Sequence, residues 1–235
     1  MDKSLRVCID KVFGGSDIHQ VISRFQGTAP AIAIVTAKMW QPGKTLRVRF
    51  LEGDPEVQNK VKEKANDWTN YANIKFDFVS DSNAEIQIAF QKGAGSWSAI
   101  GTDSSTANPG EATMNLGWLD ANTPDKEYSR VVKHEFGHAL GLIHEFEQPA
   151  VNIDWDKQAV YTALEGPPNN WSKETVDQNL FTRYSKTITQ YSTFDAESIM
   201  MYPIPPEWTI SHKSYGMDVF DISETDKEYI KRWYT

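Results

Sequence analysis

The chain has 235 residues, of which 40% are hydrophobic and 24% are charged, a composition that is ordinary for a globular protein. This length fits one domain or two closely packed subdomains with a substantial core. The formal net charge of −8, without any cluster of Lys and Arg, argues against a nucleic-acid partner, and no apolar stretch approaches the roughly 18 residues that span a membrane.

The first ten residues do not have the pattern of a secretory leader. They contain no uninterrupted apolar core, and they include Asp2 and Asp10. The single cysteine, Cys8, has no partner for an internal disulfide, so an oxidising compartment is not implied. We expect a chain that is cytoplasmic, exported without a Sec-type leader, or already processed, and the sequence leaves these alternatives open.

The first third of the chain predicts a lead-in, a strand and a helix. Residues 1–44 carry repeated Gly and Pro turn signals and predict an irregular lead-in, within which the apolar run 31–37 packs on the domain body. Residues 45–51 alternate polar and apolar side chains, which predicts a half-buried strand. Asp54 and Pro55 are typical of a helix start, and an amphipathic helix of about five turns follows. Its apolar face has near-helical spacing: Val57, Val61, Ala65, Trp68 and Ala72.

Beyond this helix the sequence predicts more strands, one long helix and a closing helix. Alternating or short apolar runs predict four strands, at residues 74–79, 85–90, 97–101 and 112–116. A helix is expected at about 126–140, and after residue 144 the chain has the composition of loops and short helical turns. Ser223 and Asp226 are typical of the start of a closing amphipathic helix. The whole order predicts an α+β fold whose upper half is of α/β type.

One short segment contains three of the five histidines of the chain. His134 and His138 are four residues apart, so on a helix their imidazoles point the same way and can share one metal ion. Gly141 then lets the backbone leave the helix with a positive φ, which allows His144 to return as a third ligand. Glu135 is not needed as a ligand, and it sits where a metal-bound water would lie.

The donor set of this segment predicts catalytic rather than structural zinc. Three imidazoles leave one position open, whereas structural sites fill all four positions with protein ligands, mostly cysteine. One Zn²⁺ per chain, bound there, would polarise a carbonyl and lower the pKa of a bound water towards about 7. Glu135 would take a proton from that water and deliver it to the leaving amine. The pattern therefore predicts zinc-dependent hydrolysis of peptide bonds.

Two segments resemble those of a known protease family. Residues 134–145 resemble the extended zinc-binding signature of the metzincin metalloproteases, and Glu145 is similar to the glutamate that marks the astacin branch. Residues 195–202 resemble the methionine-containing turn of astacins. The resemblance implies that Met200 forms an apolar floor beneath the zinc. It also implies that Tyr202 is an additional metal ligand at rest and supports the reaction as a hydrogen-bond donor.

The resemblance also implies an architecture. A metzincin-like catalytic domain has two subdomains, with a twisted mixed sheet, a backing helix, a zinc-binding active-site helix, an irregular lower subdomain and a C-terminal helix. We expect this domain at 45–235, with an upper subdomain at 45–141, a lower one at 142–235, and 1–44 as a lead-in or pro-segment. We expect a monomer that binds a protein or peptide substrate as an added antiparallel strand along an edge strand. That edge strand comprises Trp97, Ser98, Ala99, Ile100 and Gly101.

The chain departs from the astacin pattern in ways that leave its activation open. In astacins, processing creates an ammonium group that reaches the glutamate matching Glu145; here the partner is that group, a lysine, an arginine, water or a local hydrogen bond. Cys8 or Asp17 could cap the zinc, although an inert lead-in is the favoured interpretation. The alternative functions are a catalytically silent or latent zinc-containing peptide-binding protein and a metallo-amidohydrolase.

Overall fold

The structure is a computed structural model that describes residues 5–11, 34–148, 151–167, 169–182, 189–190 and 194–235. Asp17 and the first part of the apolar run 31–37 lie outside these residues. No helix in the described ranges is both long enough and apolar enough to cross a bilayer.

Eight strands are described, and six of them form one mixed sheet. Their bounds are β1 Cys8–Lys11, β2 Ile34–Val35, β3 Thr45–Phe50, β4 Lys75–Val79, β5 Ile86–Ala89, β6 Ser96–Ala99, β7 Met114–Leu116 and β8 Thr189–Gln190. The sheet has the order β1–β6–β7–β5–β3–β4, and β2 pairs with β8 in a separate two-stranded ribbon. β6 is antiparallel to β7, whereas the other neighbouring pairs of the large sheet are parallel.

The strand patterns explain which faces of the sheet are covered. In β3 the side chains of Leu46 and Val48 are fully buried, while the alternate positions stay partly accessible, as the period-two pattern predicts. In β5 all four residues are buried, because this strand lies in the middle of the sheet and is covered on both faces. The predicted strands are thus confirmed, with ends shifted by one or two residues.

The helices are α1 Pro55–Asn66, α2 Asp125–Ala139, α3 Lys157–Glu165, α4 Lys173–Val176 and α5 Glu224–Trp233. Asp54 caps α1 as predicted, with its carboxylate accepting a hydrogen bond from the Glu56 amide at 2.7 Å. The prediction of five α-helical turns was wrong, because the chain tightens into a 3₁₀ turn after Asn66. This turn lets the fully buried Trp68 donate its indole N–H to the Lys133 carbonyl of α2 at 2.9 Å.

Two apolar clusters give the molecule an upper and a lower core. The upper cluster joins the sheet to α1, α2 and α5, and the lower cluster contains the apolar faces of α3 and α4. The turn that resembles the astacin methionine turn runs between them, since Met200 belongs to the upper cluster and Met201 and Tyr202 belong to the lower one. The confirmed α+β architecture therefore places this turn where the two cores meet.

The expected irregular lead-in is wrong for the segment 8–11, which forms β1. This strand adds to β6, with Cys8 in register with Ser96 and Lys11 with Ala99. Its partner β6 is the edge of the five-stranded remainder of the sheet, and an unpaired edge offers main-chain donors and acceptors to any added strand. Four residues carry too little hydrophobic pattern to predict such a pairing from sequence.

Two side chains from opposite ends of the chain satisfy the last carbonyls of α2. The Trp40 indole donates to the Ala139 carbonyl at 2.8 Å, and the Tyr234 hydroxyl donates to the Leu140 carbonyl at 2.6 Å. The Tyr234 hydroxyl also accepts the Trp40 amide at 3.3 Å. These contacts fix the point at which the chain leaves α2.

Replacing Tyr234 by Phe should therefore lower stability. The change keeps the ring but leaves the Leu140 carbonyl and the Trp40 amide without this partner, which should reduce the free energy of unfolding by about 1–3 kcal/mol. Urea denaturation measures the difference, with the half-buried Tyr229→Phe of α5 as the matched control. Equal midpoints for the two variants would contradict this capping role.

Candidate metal centre

Three histidine side chains converge at the end of α2. The Nε2 atoms of His134, His138 and His144 lie 3.1–3.2 Å from one another. Gly141 has a φ of +98°, so the chain reverses after the helix and returns His144 to the face that carries the other two. Tetrahedral zinc with Zn–N bonds of 2.0–2.1 Å has nitrogens about 3.3 Å apart, so the three imidazoles fit this metal.

The outer nitrogen of each imidazole faces an oxygen acceptor. His134 Nδ1 lies 2.7 Å from the Ile199 carbonyl, and His138 Nδ1 lies 2.9 Å from the Leu142 carbonyl. His144 Nδ1 lies 3.5 Å from the Glu147 carboxylate. Such acceptors favour the tautomer that keeps Nε2 free of a proton and directed at the metal.

All three histidines are buried, and burial disfavours the charged form of an imidazole. Burial, followed by the neighbouring rings of His138 and His144, holds the pKa of His134 well below its usual range. Neutral imidazole is the form that binds a metal ion. Glu135, the next residue of α2, is also buried, with 1% of its surface exposed.

Cys8 is the fourth potential donor at this point. Its Sγ lies 3.0 Å from His134 Nε2, 3.1 Å from His144 Nε2 and 3.6 Å from His138 Nε2. These four side chains form the one group of His, Cys, Asp or Glu residues with metal-binding geometry among the described residues. The structure therefore places Cys8, one of the two capping candidates, at the three histidines, whereas Asp17 lies outside the described residues.

Met200 lies directly beneath the histidine-bearing turn of α2. A Cβ placed on Gly137 would lie 2.4 Å from Met200 Sδ, so the helix needs a residue without a side chain here. The Met200 carbonyl accepts the Glu145 amide at 3.0 Å, which ties the methionine turn to the chain after His144. Sequence analysis did not assign Gly137 a role, although its place between two metal-spaced histidines was a signal for close packing.

Tyr202 faces the same centre from the lower core. Its ring centroid is 4.3 Å from that of His144, and its hydroxyl donates a short hydrogen bond to the main-chain carbonyl of Cys8. The hydroxyl also lies 3.7 Å from Cys8 Sγ. The structure thus brings Tyr202 to the histidines, with its phenol engaged by the N-terminal segment.

Within the described residues, the hydrogen-bond partners of Glu145 are local, and none of them is the lysine or arginine considered from the sequence. Its carboxylate accepts the Asp195 amide at 2.8 Å and a short hydrogen bond from the Gln148 side chain. Burial raises its pKa to about 8, against the opposing effect of these two hydrogen bonds. Glu145 therefore joins the turn after His144 to the start of the methionine-containing segment.

The predicted edge strand is shorter than expected. β6 ends at Ala99, so Ile100 and Gly101 lie outside it, and a 3₁₀ turn runs over Gly101–Thr106. Its side chains are buried, and its outer main-chain edge is paired with β1. A cavity of about 510 Å³ adjoins the start of this strand and is bordered by Arg6, Trp118 and Trp171.

Comparisons with known proteins agree with this geometry. Residues 34–215 match the family model of Astacin, a peptidase family. The chain is similar to a solved structure of myroilysin, with a TM-score of 0.82 and 47% identity over 86% of this chain and 97% of that one. Its fold is also similar to that of high choriolytic enzyme 1, a hatching-enzyme zinc protease of Oryzias latipes, at a TM-score of 0.52 and 18% identity over 85% of this chain and 95% of that one.

Among curated proteins, the chain is similar to the zinc metalloproteinase nas-24 of Caenorhabditis elegans. The two are 27% identical over 161 residues, which is 68% of this chain and 35% of that protein. The chain therefore spans about a third of the length of this relative.

Replacing Gly137 by Ala should destabilise the fold, although alanine is the better helix former by about 1 kcal/mol. The added methyl would overlap with Met200, and overpacking of this kind costs about 1–3 kcal/mol. Chemical denaturation of Gly137→Ala, Met200→Ala and the double variant measures the coupling between the two sites. Strictly additive effects would contradict the proposed fit.

Proposed function

The chain belongs to the astacin family of peptidases, and we propose that it is a zinc-dependent endopeptidase acting on protein or peptide substrates. The observation that carries the proposal is the convergence of three buried imidazole Nε2 atoms at 3.1–3.2 Å, with Glu135 next to the first histidine. Zinc is the cofactor of this family, and the spacing of these donors suits it.

We assign the metal to the Nε2 atoms of His134, His138 and His144. When bound, zinc supplies Lewis-acid activation of a water molecule and of the substrate carbonyl. Glu135 accepts the proton of the attacking water and passes it to the leaving nitrogen, a transfer that typically contributes about 10²- to 10⁴-fold. Tyr202 donates its phenolic O–H to the carbonyl oxygen as negative charge develops there.

Other side chains keep these groups in place. The Met200 thioether forms the apolar floor beneath the histidines, and Gly137 leaves the room for it. Gly141 reverses the chain, and Glu145 connects that reversal to the segment that precedes Met200. The proposal includes a monomer as the active form.

The substrate would bind along β6. Trp97, Ser98 and Ala99 lie in this strand, and its outer edge offers main-chain donors and acceptors to an antiparallel peptide. Such a peptide would place the residues after the scissile bond near the start of β6, beside the cavity bordered by Trp118 and Trp171. Ile100 and Gly101 would flank the other end.

We further propose that the N-terminal segment, of which residues 5–11 are described, keeps the enzyme latent. β1 occupies the outer edge of β6, and Cys8 Sγ fills the position opposite the three histidines. The side chain of Asn169 donates to the Leu5 carbonyl at 2.9 Å and Tyr202 donates to the Cys8 carbonyl, so the segment is held at both of these residues. Removal of the segment would free the fourth metal position and the edge of β6.

The same proposal moves the boundary of the catalytic domain. The family model begins at residue 34, and Trp40 and Lys38 bond to the body of the domain through Ala139 and Asp103. We therefore propose a pro-segment that ends before residue 34 rather than at 44, and a catalytic domain that includes the residues between.

Replacing Glu135 by Gln should abolish peptide hydrolysis while zinc remains bound. The amide cannot accept the proton of the attacking water, so kcat/KM should fall by about 10²- to 10⁴-fold. Digestion of a peptide library by the processed enzyme, with and without a chelator, measures activity, metal dependence and cleavage preference together. Zinc content per chain is measured on the same samples.

The exposed Glu228→Gln of α5 is the matched control and should behave as the unaltered enzyme. Full activity of the Glu135→Gln variant would remove this residue from the role of base. Absence of cleavage by the processed, zinc-containing parent would favour a zinc-containing peptide-binding protein instead.

Replacing Cys8 by Ser should activate the intact chain. A hydroxyl is a much poorer zinc ligand than a thiolate, so the variant should hydrolyse a fluorogenic peptide without processing, whereas the intact parent should not. Once both chains have been cleaved just before residue 34, they should have the same activity, which is the control for any effect on folding. An intact parent that is already as active as the processed enzyme would contradict latency.

A further inference from the structure

We propose that Glu147 is a positioning residue of the metal centre. Its carboxylate accepts the Nδ1–H of His144, which directs Nε2 of that ring at the zinc and partly offsets the charge of the metal. The inference rests on the proposed function, because it requires zinc on the three histidines.

The sequence spacing brings Glu147 back to His144. The residues Glu145–Glu147 form a 3₁₀ turn, closed by a hydrogen bond from the Glu147 amide to the His144 carbonyl at 3.1 Å. In a 3₁₀ turn the side chains at positions i and i+3 lie on the same side, so the carboxylate returns to the imidazole. Glu147 Oε2 lies 3.5 Å from His144 Nδ1, and the two side chains are only 3% and 0% exposed.

The other two histidines show what this contact does. His134 and His138 direct their Nδ1 atoms at the main-chain carbonyls of Ile199 and Leu142. His144 lies beyond the helix, and its Nδ1 is directed at a carboxylate instead. The Nδ1 atoms of His134 and His138 are within hydrogen-bond distance of their carbonyls, and that of His144 faces an oxygen at 3.5 Å; only at His144 can the oxygen facing Nδ1 carry a negative charge.

The negative charge of the Glu147 carboxylate has a second effect, which is on the affinity of the site for zinc. Three neutral imidazoles leave the double positive charge of zinc undiminished in a buried site. A carboxylate hydrogen-bonded to the outer nitrogen makes an imidazole a stronger donor to the metal, and such partners typically contribute 10- to 100-fold in affinity. Glu145, in the same turn, does not do this, because it bonds to Asp195 and Gln148.

The test is the zinc affinity of the full chain with Glu147 replaced by Ala or Gln. Competition with a chromogenic chelator at one fixed pH gives the dissociation constant of zinc. The Ala variant should bind zinc about 10- to 100-fold more weakly. The Gln variant keeps an oxygen acceptor without the negative charge, so its affinity should lie between those of the parent and the Ala variant.

Two controls separate positioning from general damage. The exposed Glu165→Gln of α3 should leave the dissociation constant unchanged. Denaturation with and without zinc should show that the Glu147 variants lose mainly the stabilisation that zinc adds, whereas a purely structural role would lower both curves equally. Because Cys8 can supply a fourth ligand, the same measurements are made in the Cys8→Ser background.

The outcomes distinguish this inference from the function on which it rests. If the unaltered chain binds no zinc, the proposed function fails. If it binds zinc and both Glu147 variants bind it with unchanged affinity, only the role of Glu147 is overturned. If the Ala variant does not fold, the Gln variant decides, since it keeps the size of the side chain and removes only the charge.

Discussion

The rest of the structure depends on holding three neutral imidazoles with their Nε2 atoms 3.1–3.2 Å apart. Two of them are fixed by α2, since a spacing of four residues puts them on one face of the helix. The third is fixed by the reversal at Gly141. Burial disfavours the charged form of the rings, and an oxygen atom faces each Nδ1. The helix, the turn and the acceptors therefore together determine how the three Nε2 atoms are placed.

Asp226, near the C-terminal end of the chain, helps to hold this arrangement of the histidines. Its carboxylate accepts hydrogen bonds from the Ser198 hydroxyl, the Ile199 amide and the Ser223 amide, and the Ile199 carbonyl faces His134 Nδ1 at 2.7 Å. Burial raises the pKa of Asp226, so these three donors offset an unfavourable environment for the charge. The closing helix thus positions the methionine turn, and through it the first histidine.

The features that were predicted correctly from the sequence depend on neighbouring residues. The features that were missed depend on contacts between distant parts of the chain. The spacing of His134 and His138, the cap at Asp54 and the alternation in β3 follow from residues within a few positions of one another, and each was confirmed. The partners of Glu145 and the early end of α1 depend on tertiary packing, so the hydrophobic periodicity of the sequence does not predict them. The approach of Cys8 to His134 spans 126 residues of sequence, so composition and pattern gave only a list of alternatives.

The direction of β1 bears on how the chain's own segment could lie across the proposed catalytic centre without being cleaved. β1 is parallel to β6, whereas the proposed substrate is antiparallel to it, so the main chain of the segment crosses the metal in the opposite direction. A peptide bond of the segment would then be presented to the proposed centre with its direction reversed relative to a scissile bond. Parallel pairing is also slightly weaker per residue, and β1 has only four residues. Retention of the segment therefore depends on contacts besides strand pairing, namely the hydrogen bonds to the Leu5 and Cys8 carbonyls and the burial of Val7. Among these contacts the Cys8 thiol is the one that faces the three histidines, which makes it the proposed determinant of latency.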